Sequence, residues 1–319
     1  MQAPFGFSST IDDVLEGVDL SGKKVLITGV SAGLGTETAR GLMSRGATVV
    51  GTARDMDKAR TATAHLDALP GTLELVELDL ASLASVRRAA DAISAAHDSF
   101  DVIIANAGVM APGAGKTADG FETQMGTNHL GHFVLVNRLA HLLMPGSRVV
   151  MLASSGHRLS DVDLDDLNFE SRPFEDWTAY GQSKTANILF AVEFDRRHRT
   201  RGVRATALHP GGIQTELARH IGSEALDAAV ERFNAEAGSM GIPPQRWKSI
   251  PQGTATTAWA GFVAPADEVG GKYCEDCAVA PVTDHNPSPL YGGVRSYALD
   301  PVRAGALWAK SEDLVGETF

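Results

Sequence analysis

From residue 24 to about residue 208, short apolar runs alternate with stretches of helical periodicity. Lys24-Val25-Leu26-Ile27-Thr28 is such a run; it ends in glycines, passes into a helical stretch from Thr36 to Ser44, and is followed by Ala47-Thr48-Val49-Val50. That order predicts a strand–helix–strand unit. The pattern then repeats. Strands are predicted at Leu73–Leu78, Val102–Ala105, Arg148–Leu152 and Arg204–Leu208, and helices at Leu83–Ala96, around Asn128–Leu143, and around Ala179–Asn187. The strands are apolar almost throughout instead of alternating, which requires both sheet faces to be covered. The sequence therefore predicts an α/β fold: a doubly wound parallel sheet in three α/β/α layers. It forms one domain over residues 21–319, with an extension at 1–20, a C-terminal extension at 270–319, and no linker or repeat.

Composition narrows the function. The chain has 319 residues, 44% hydrophobic and 21% charged, enough to bury a large core. A net charge of −11 argues against nucleic acid or an anionic membrane as partner, since both need clustered Lys and Arg. The two cysteines, Cys274 and Cys277, lie in a single CxxC, half a zinc site at most, and read as incidental thiols. The first twenty residues hold four acids and neither Lys nor Arg, unlike a signal peptide, and no apolar run reaches the roughly 18 residues of a membrane helix. A soluble, cytoplasmic protein is expected.

Two motifs carry chemistry. Between the first strand and helix lies Thr28-Gly29-Val30-Ser31-Ala32-Gly33-Leu34-Gly35, a GxxxGxG loop. Glycines admit a pyrophosphate close to the backbone, and the following helix N-terminus offers N–H groups and partial positive charge, as in a Rossmann-type dinucleotide site. At the end of the second strand Ala53 stands where an acid would bind the ribose of NAD; Arg54, beside it, favours NADP, while Asp55 and Asp57 keep NAD open. The second motif is Tyr180-x-x-x-Lys184. Residues four apart share a helix face, so the Lys184 ammonium is expected to lower the Tyr180 pKa and make it a proton donor or acceptor.

The glycine loop, Asn106-Ala107-Gly108, Ser154-Ser155 and Tyr180-x-x-x-Lys184, in this order, resemble the short-chain dehydrogenase/reductase family. TNHLGHF (127–133), HPGGIQTEL (209–217), GGKYCEDC (270–277), the terminal ALWAKSEDLVG and the leader STIDDVLEGVDLSGKKVLITG are similar to its retinol-dehydrogenase-like branch, in the soluble bacterial or fungal form. The resemblance implies that Tyr180 exchanges a proton with the substrate oxygen, that Lys184 holds the nicotinamide ribose, that Ser155 bonds the substrate oxygen with Ser154 in support, and that Asn128 holds a water in the proton relay. It implies cofactor contacts from Gly29, Ser31, Gly33, Leu34, Gly35, Arg54, Asp79, Leu80, Asn106, Ala107, Gly108, Tyr180, Lys184, Pro210, Gly211 and Thr215. Hydride transfer on this scheme uses NADP (as NADPH), with NAD possible, and no metal.

Substrate identity is not readable. The acidic stretch at 158–176 reads as a solvated loop, and His157 as a surface-loop histidine with a pocket-lining or relay role as the alternative. Leu217, Ile221, Leu226, Val230 and Phe233 suggest an amphipathic helix, followed by Met240, Ile242 and Trp247 in a proline-containing stretch; the resemblance implies a substrate lid over 216–250, hence a lipophilic or bulky carbonyl, with a helix packed on the core or on a partner subunit as the alternative. Interconversion of an aldehyde or ketone with its alcohol is the expected reaction. A carbon–carbon double-bond reductase of the same family and a catalytically idle NADP-binding regulator are the rivals, and a homo-oligomer is compatible with all three.

Overall fold

The computed structural model describes residues 5–218, 246–284 and 292–319, together with residues 231, 234, 235 and 238. Most of the stretch expected to form a lid lies outside the described residues.

The strands are β1 (Lys24–Thr28), β2 (Thr48–Ala53), β3 (Thr72–Glu77), β4 (Phe100–Ala105), β5 (Leu143–Leu152), β6 (Arg204–His209), β7 (Tyr273–Glu275) and β8 (Ala278–Val279). They form one sheet in the order β3-β2-β1-β4-β5-β6-β7-β8, parallel except for the β7–β8 hairpin. Strand order reverses between β1 and β4, so the ends of these two strands open the crevice in which doubly wound sheets bind ligands. The helices that matter to the site are α1 (Ile11–Val14), α2 (Gly33–Met43), α3 (Met56–Thr63), α4 (Leu83–Ala96), α5 (Gly131–Leu139), α6 (Asp176–His198), α7 (Ile250–Ala258) and α8 (Pro301–Val315).

Both sheet faces are buried, as the unbroken apolar runs require. Along β1, Leu26 enters the core beneath α4, α5 and α6, whereas Val25 and Ile27 enter the core on the α2 and α7 side. The same alternation holds in β4, with Ile103 opposed to Val102 and Ile104, and in β5, with Met151 opposed to Val150 and Leu152. Every second residue serves the opposite core.

The structure refines four points. The helix expected to run to Leu143 stops at Leu139, because the chain must turn back to pair Leu143 with Phe100 of β4. Its first turn, Met125–Leu130, is a π-helix. The N-terminal stretch is not an appendage: Ile11 is fully buried, and a Cβ on Gly41 of α2 would lie 2.4 Å from its Cδ1. The cysteine pair is explained by a turn, since Asp276 and Cys277 both have positive φ and form the two-residue connection between β7 and β8.

Candidate active site

The glycine loop fits a dinucleotide. Gly29 has φ +77°, and a Cβ there would sit 2.8 Å from that of Ala107; a Cβ on Gly35 would strike the Gly29 carbonyl oxygen at 2.0 Å. Only glycine permits this approach of helix to strand. Ala32 precedes α2 without capping it and the first turn carries no acid, so the N–H groups of that turn remain for an anion. Ser31 and Leu34 flank this N-terminus, and Thr215 packs on it, 3.5 Å from where a Gly33 Cβ would be.

Arg54 is exposed just beyond β2. The two acids that kept NAD open are engaged elsewhere: Asp55 caps α3 by accepting from Lys58 N at 2.9 Å, and Asp57 pairs with Arg60 at 2.7 Å. Asp79 holds its own turn, accepting from Ala81 N at 3.0 Å, and the Leu80 side chain belongs to the core. Leu80 can therefore meet a cofactor only through its backbone.

Asn106 ties the cleft together. Its side-chain amide donates to the carbonyls of Thr28 (2.8 Å) and Gly29 (3.2 Å). The Thr28 hydroxyl accepts from Asn106 N (2.9 Å) and Ala107 N (3.0 Å), so its own proton goes to Nε2 of His132, 2.9 Å away. That fixes the His132 tautomer: Nδ1–H donates to the Asn128 carbonyl at 2.9 Å. Burial pushes the His132 pKa down to about 4; the bond to Asn128 opposes this and the charge of Lys184 adds to it. The ring stays neutral at physiological pH.

Asn128 lies in the π-helical turn, fully buried, with its side chain donating to Val109 O and Ser183 Oγ and accepting from Val109 N. Gly108 joins the two halves, because a Cβ there would lie 3.0 Å from Asn128 Oδ1 and 3.5 Å from Lys184 Nζ. Pro210 and Gly211 close the far side, where Gly211 (φ +108°) backs onto the buried Lys248 side chain.

Tyr180 and Lys184 share the buried face of α6, with Lys184 Nζ 5.7 Å from the centre of the tyrosine ring and donating to Leu152 O at 3.1 Å. Their ionisation differs from expectation. Burial pushes Tyr180 up to about 12, opposed by a hydrogen bond from Ser154, and pushes Lys184 down to about 8. Desolvation outweighs the attraction between ammonium and phenolate, so the tyrosine keeps its proton.

The serine assignment also changes. Ala153 N bonds Leu208 O and so continues the sheet one residue beyond β5. Ser154 is therefore the first residue past the sheet, and its side chain, not that of Ser155, hydrogen-bonds the Tyr180 phenol. His157 is fully buried, against the surface reading, because its ring is bonded on both nitrogens. His132 and Trp177, which nothing in the sequence singles out, also border the site. The indole of Trp177, 39% exposed, stands edge-on to Tyr180 with ring centres 6.2 Å apart. Cys274 and Cys277 are buried thiols, pushed up to about 12 and 11 by burial, and so are poor nucleophiles. Among the described residues, no helix is long and apolar enough to cross a membrane, and no cluster of three or more His, Cys, Asp or Glu would hold a metal.

The short chain dehydrogenase family model matches residues 23–226, so the chain belongs to that family and is a short-chain dehydrogenase/reductase enzyme. It is 40% identical to the short-chain dehydrogenase/reductase prx1 of Penicillium rubens over 90% of this chain and 83% of that protein. It is 36% identical to human retinol dehydrogenase 13 over 93% of this chain and 86% of that one, which places it in the retinol-dehydrogenase-like branch. Among solved structures, an uncharacterised protein from Mycobacterium paratuberculosis matches with TM-score 0.71 and 36% identity, covering 94% of this chain and 96% of that one. A short chain dehydrogenase from Burkholderia cenocepacia, solved in complex with NADP, matches with TM-score 0.60 and 27% identity, covering 77% and 92%. Members of the family bind nicotinamide cofactors, and the cradle described above fits one.

Proposed function

We propose that the protein is an NADP-dependent oxidoreductase that interconverts a lipophilic or bulky aldehyde or ketone and its alcohol. The observation that supports this reading is that Ser154 hydrogen-bonds the Tyr180 phenol while Lys184 Nζ lies 5.7 Å from the centre of its ring, beside Gly108 and Asn128. The dinucleotide, when bound, supplies the hydride to the carbonyl carbon or accepts it from the alcohol.

The side chains do the rest. Tyr180, protonated at neutral pH, donates to the carbonyl oxygen as the hydride reaches carbon, and Ser154 holds that oxygen. Lys184 holds the ribose and presents positive charge to the phenol as it loses its proton. Arg54 supports the preference for NADP, because Asp55 and Asp57 are already committed to a cap and an ion pair. The half-exposed Trp177, one turn before Tyr180, gives the mouth an apolar wall and supports a lipophilic substrate.

The test is oxidation of NADPH and of NADH against a panel of short, aromatic and long-chain carbonyl compounds. Turnover of at least one with NADPH preferred is the expected result. Tight NADPH binding with no turnover of any would overturn the reading.

A further inference from the structure

The turn after β5 carries Ser154, and the side chain that fixes this turn from behind is His157. Its Nδ1 lies 2.7 Å from Ser154 O, and since a carbonyl only accepts, Nδ1 bears the proton. Nε2 then accepts from Arg295 N at 3.3 Å. One neutral tautomer satisfies both nitrogens. Burial holds the ring neutral by pushing its pKa down to about 3; the Ser154 bond opposes this, and Arg158 and Arg295 add to it.

Behind His157 stands the C-terminal extension. The Tyr297 hydroxyl donates to His157 O at 2.6 Å, and Arg158 donates to Gly293 O (2.8 Å) and to Glu275 (3.2 Å). Glu275 in turn accepts from Gly293 N at 2.5 Å, and the Tyr273 ring lies 4.9 Å from the imidazole. In front of His157, the Ser154 hydroxyl accepts from Gly156 N at 3.0 Å. Gly156 abuts the catalytic tyrosine so closely that a Cβ would be 2.7 Å from Tyr180 Cε1. The contacts run unbroken from Glu275, Gly293, Arg295 and Tyr297 through His157 and Ser154 to Tyr180.

We propose that His157 is a positioning residue that carries the register of the C-terminal extension to Ser154, and so sets the Ser154 hydroxyl against Tyr180 and the substrate oxygen. The proposal rests on the reading of Ser154 as the group that holds this oxygen. It also gives the C-terminal extension a part in the chemistry, although none of its described residues is placed at the reacting atoms.

His157→Phe removes both ring nitrogens at similar volume, whereas His157→Asn retains a donor near the Nδ1 position. Kinetics would use NADPH and a carbonyl compound that the native enzyme reduces, alongside NADPH affinity by fluorescence and amide exchange at Gly156 and His157. His157→Phe is expected to lower kcat about tenfold, the scale of a slightly misplaced catalytic group, with NADPH affinity nearly unchanged and His157→Asn recovering most of the rate. In a Ser154→Ala background the same change is expected to cost almost nothing more. Exchange at Gly156 and His157 should quicken while residues 24–43 stay as they were.

An unchanged kcat, an equal loss in the Ser154→Ala background, or unchanged exchange at Gly156 and His157 would overturn the proposal. Should the Phe variant not fold, His157→Asn against His157→Gln makes the same comparison, since Gln reaches the Nε2 position instead; equal rates for the two would overturn it. If the native protein reduces no carbonyl, the functional reading falls by itself, and the exchange measurement still decides for or against His157.

Discussion

The two sides of the cleft treat buried polar groups in opposite ways. On the cofactor side, Thr28, Asn106, His132 and the Asn128 carbonyl form a closed network in which each hydroxyl, amide and ring nitrogen has a defined partner. On the catalytic side, Lys184 is buried while donating to one acceptor, Leu152 O, and Asn187 Oδ1 is buried with no partner among the described residues. Tyr180 and Lys184 are both pushed toward their neutral forms. A satisfied network makes a rigid frame; buried groups left short of partners cost stability and await a ligand that completes them. The frame and the reactive centre meet at Gly108 and Asn128, so one holds the other in place.

Changes on the two sides should then differ in kind. Tyr180→Phe is expected to lower kcat by about two to four orders of magnitude, the usual worth of a general acid, while NADPH affinity and thermal stability barely move. Initial rates and a melting curve check it, and a comparable loss of stability would erase the distinction between frame and reactive centre. Thr28→Val is the opposite case. It leaves two half-buried amides and a buried imidazole nitrogen without their partner, for about 2–4 kcal/mol of stability, read as a lowered melting temperature in the absence of cofactor.

The charge of Lys184 gives a sharper test through pH. Its pKa falls from 10.5 unfolded to about 8 folded, so below pH 8 both states carry the proton and the folded state bears the full penalty of burying it. Above pH 8 the folded state sheds the proton first, the unfolded state binds more, and stability rises with pH toward 10.5. The Tyr180 shift acts in the opposite sense above pH 10, where the unfolded chain ionises and the folded phenol does not. Between pH 8 and 10, therefore, cofactor-free protein should gain stability relative to Lys184→Met, by about 3 kcal/mol over the full window to 10.5. Melting temperatures of the two proteins across this range check it, and parallel curves would show that Lys184 is not desolvated. The smallest effect is expected at Arg54, which lies outside both networks: Arg54→Ala should weaken NADPH binding about tenfold and leave NADH unaffected, as measured by fluorescence titration.

Much of the frame was legible because it rests on local rules. Gly29, Gly33 and Gly35 announce a close approach of backbone to ligand, Tyr180 and Lys184 share a face by helical spacing, and the apolar strands specify a sheet covered on both sides. Which serine hydrogen-bonds the Tyr180 phenol was not legible, because it depends on how the turn after β5 packs against α6, a segment distant in sequence. His132 and His157 carry no marker of their own, since a histidine becomes a frame residue only when both nitrogens meet partners, here supplied by Thr28 in one case and Arg295 in the other.

The sequence alone determined which side chains are candidates for proton chemistry and the order in which strands and helices present them, because spacing, backbone freedom and side-chain type are local properties. Tertiary structure alone decided their ionisation and their exact partners. Desolvation is a property of the assembled core, and burial at α6 outweighs the lysine–tyrosine attraction that helical spacing suggested.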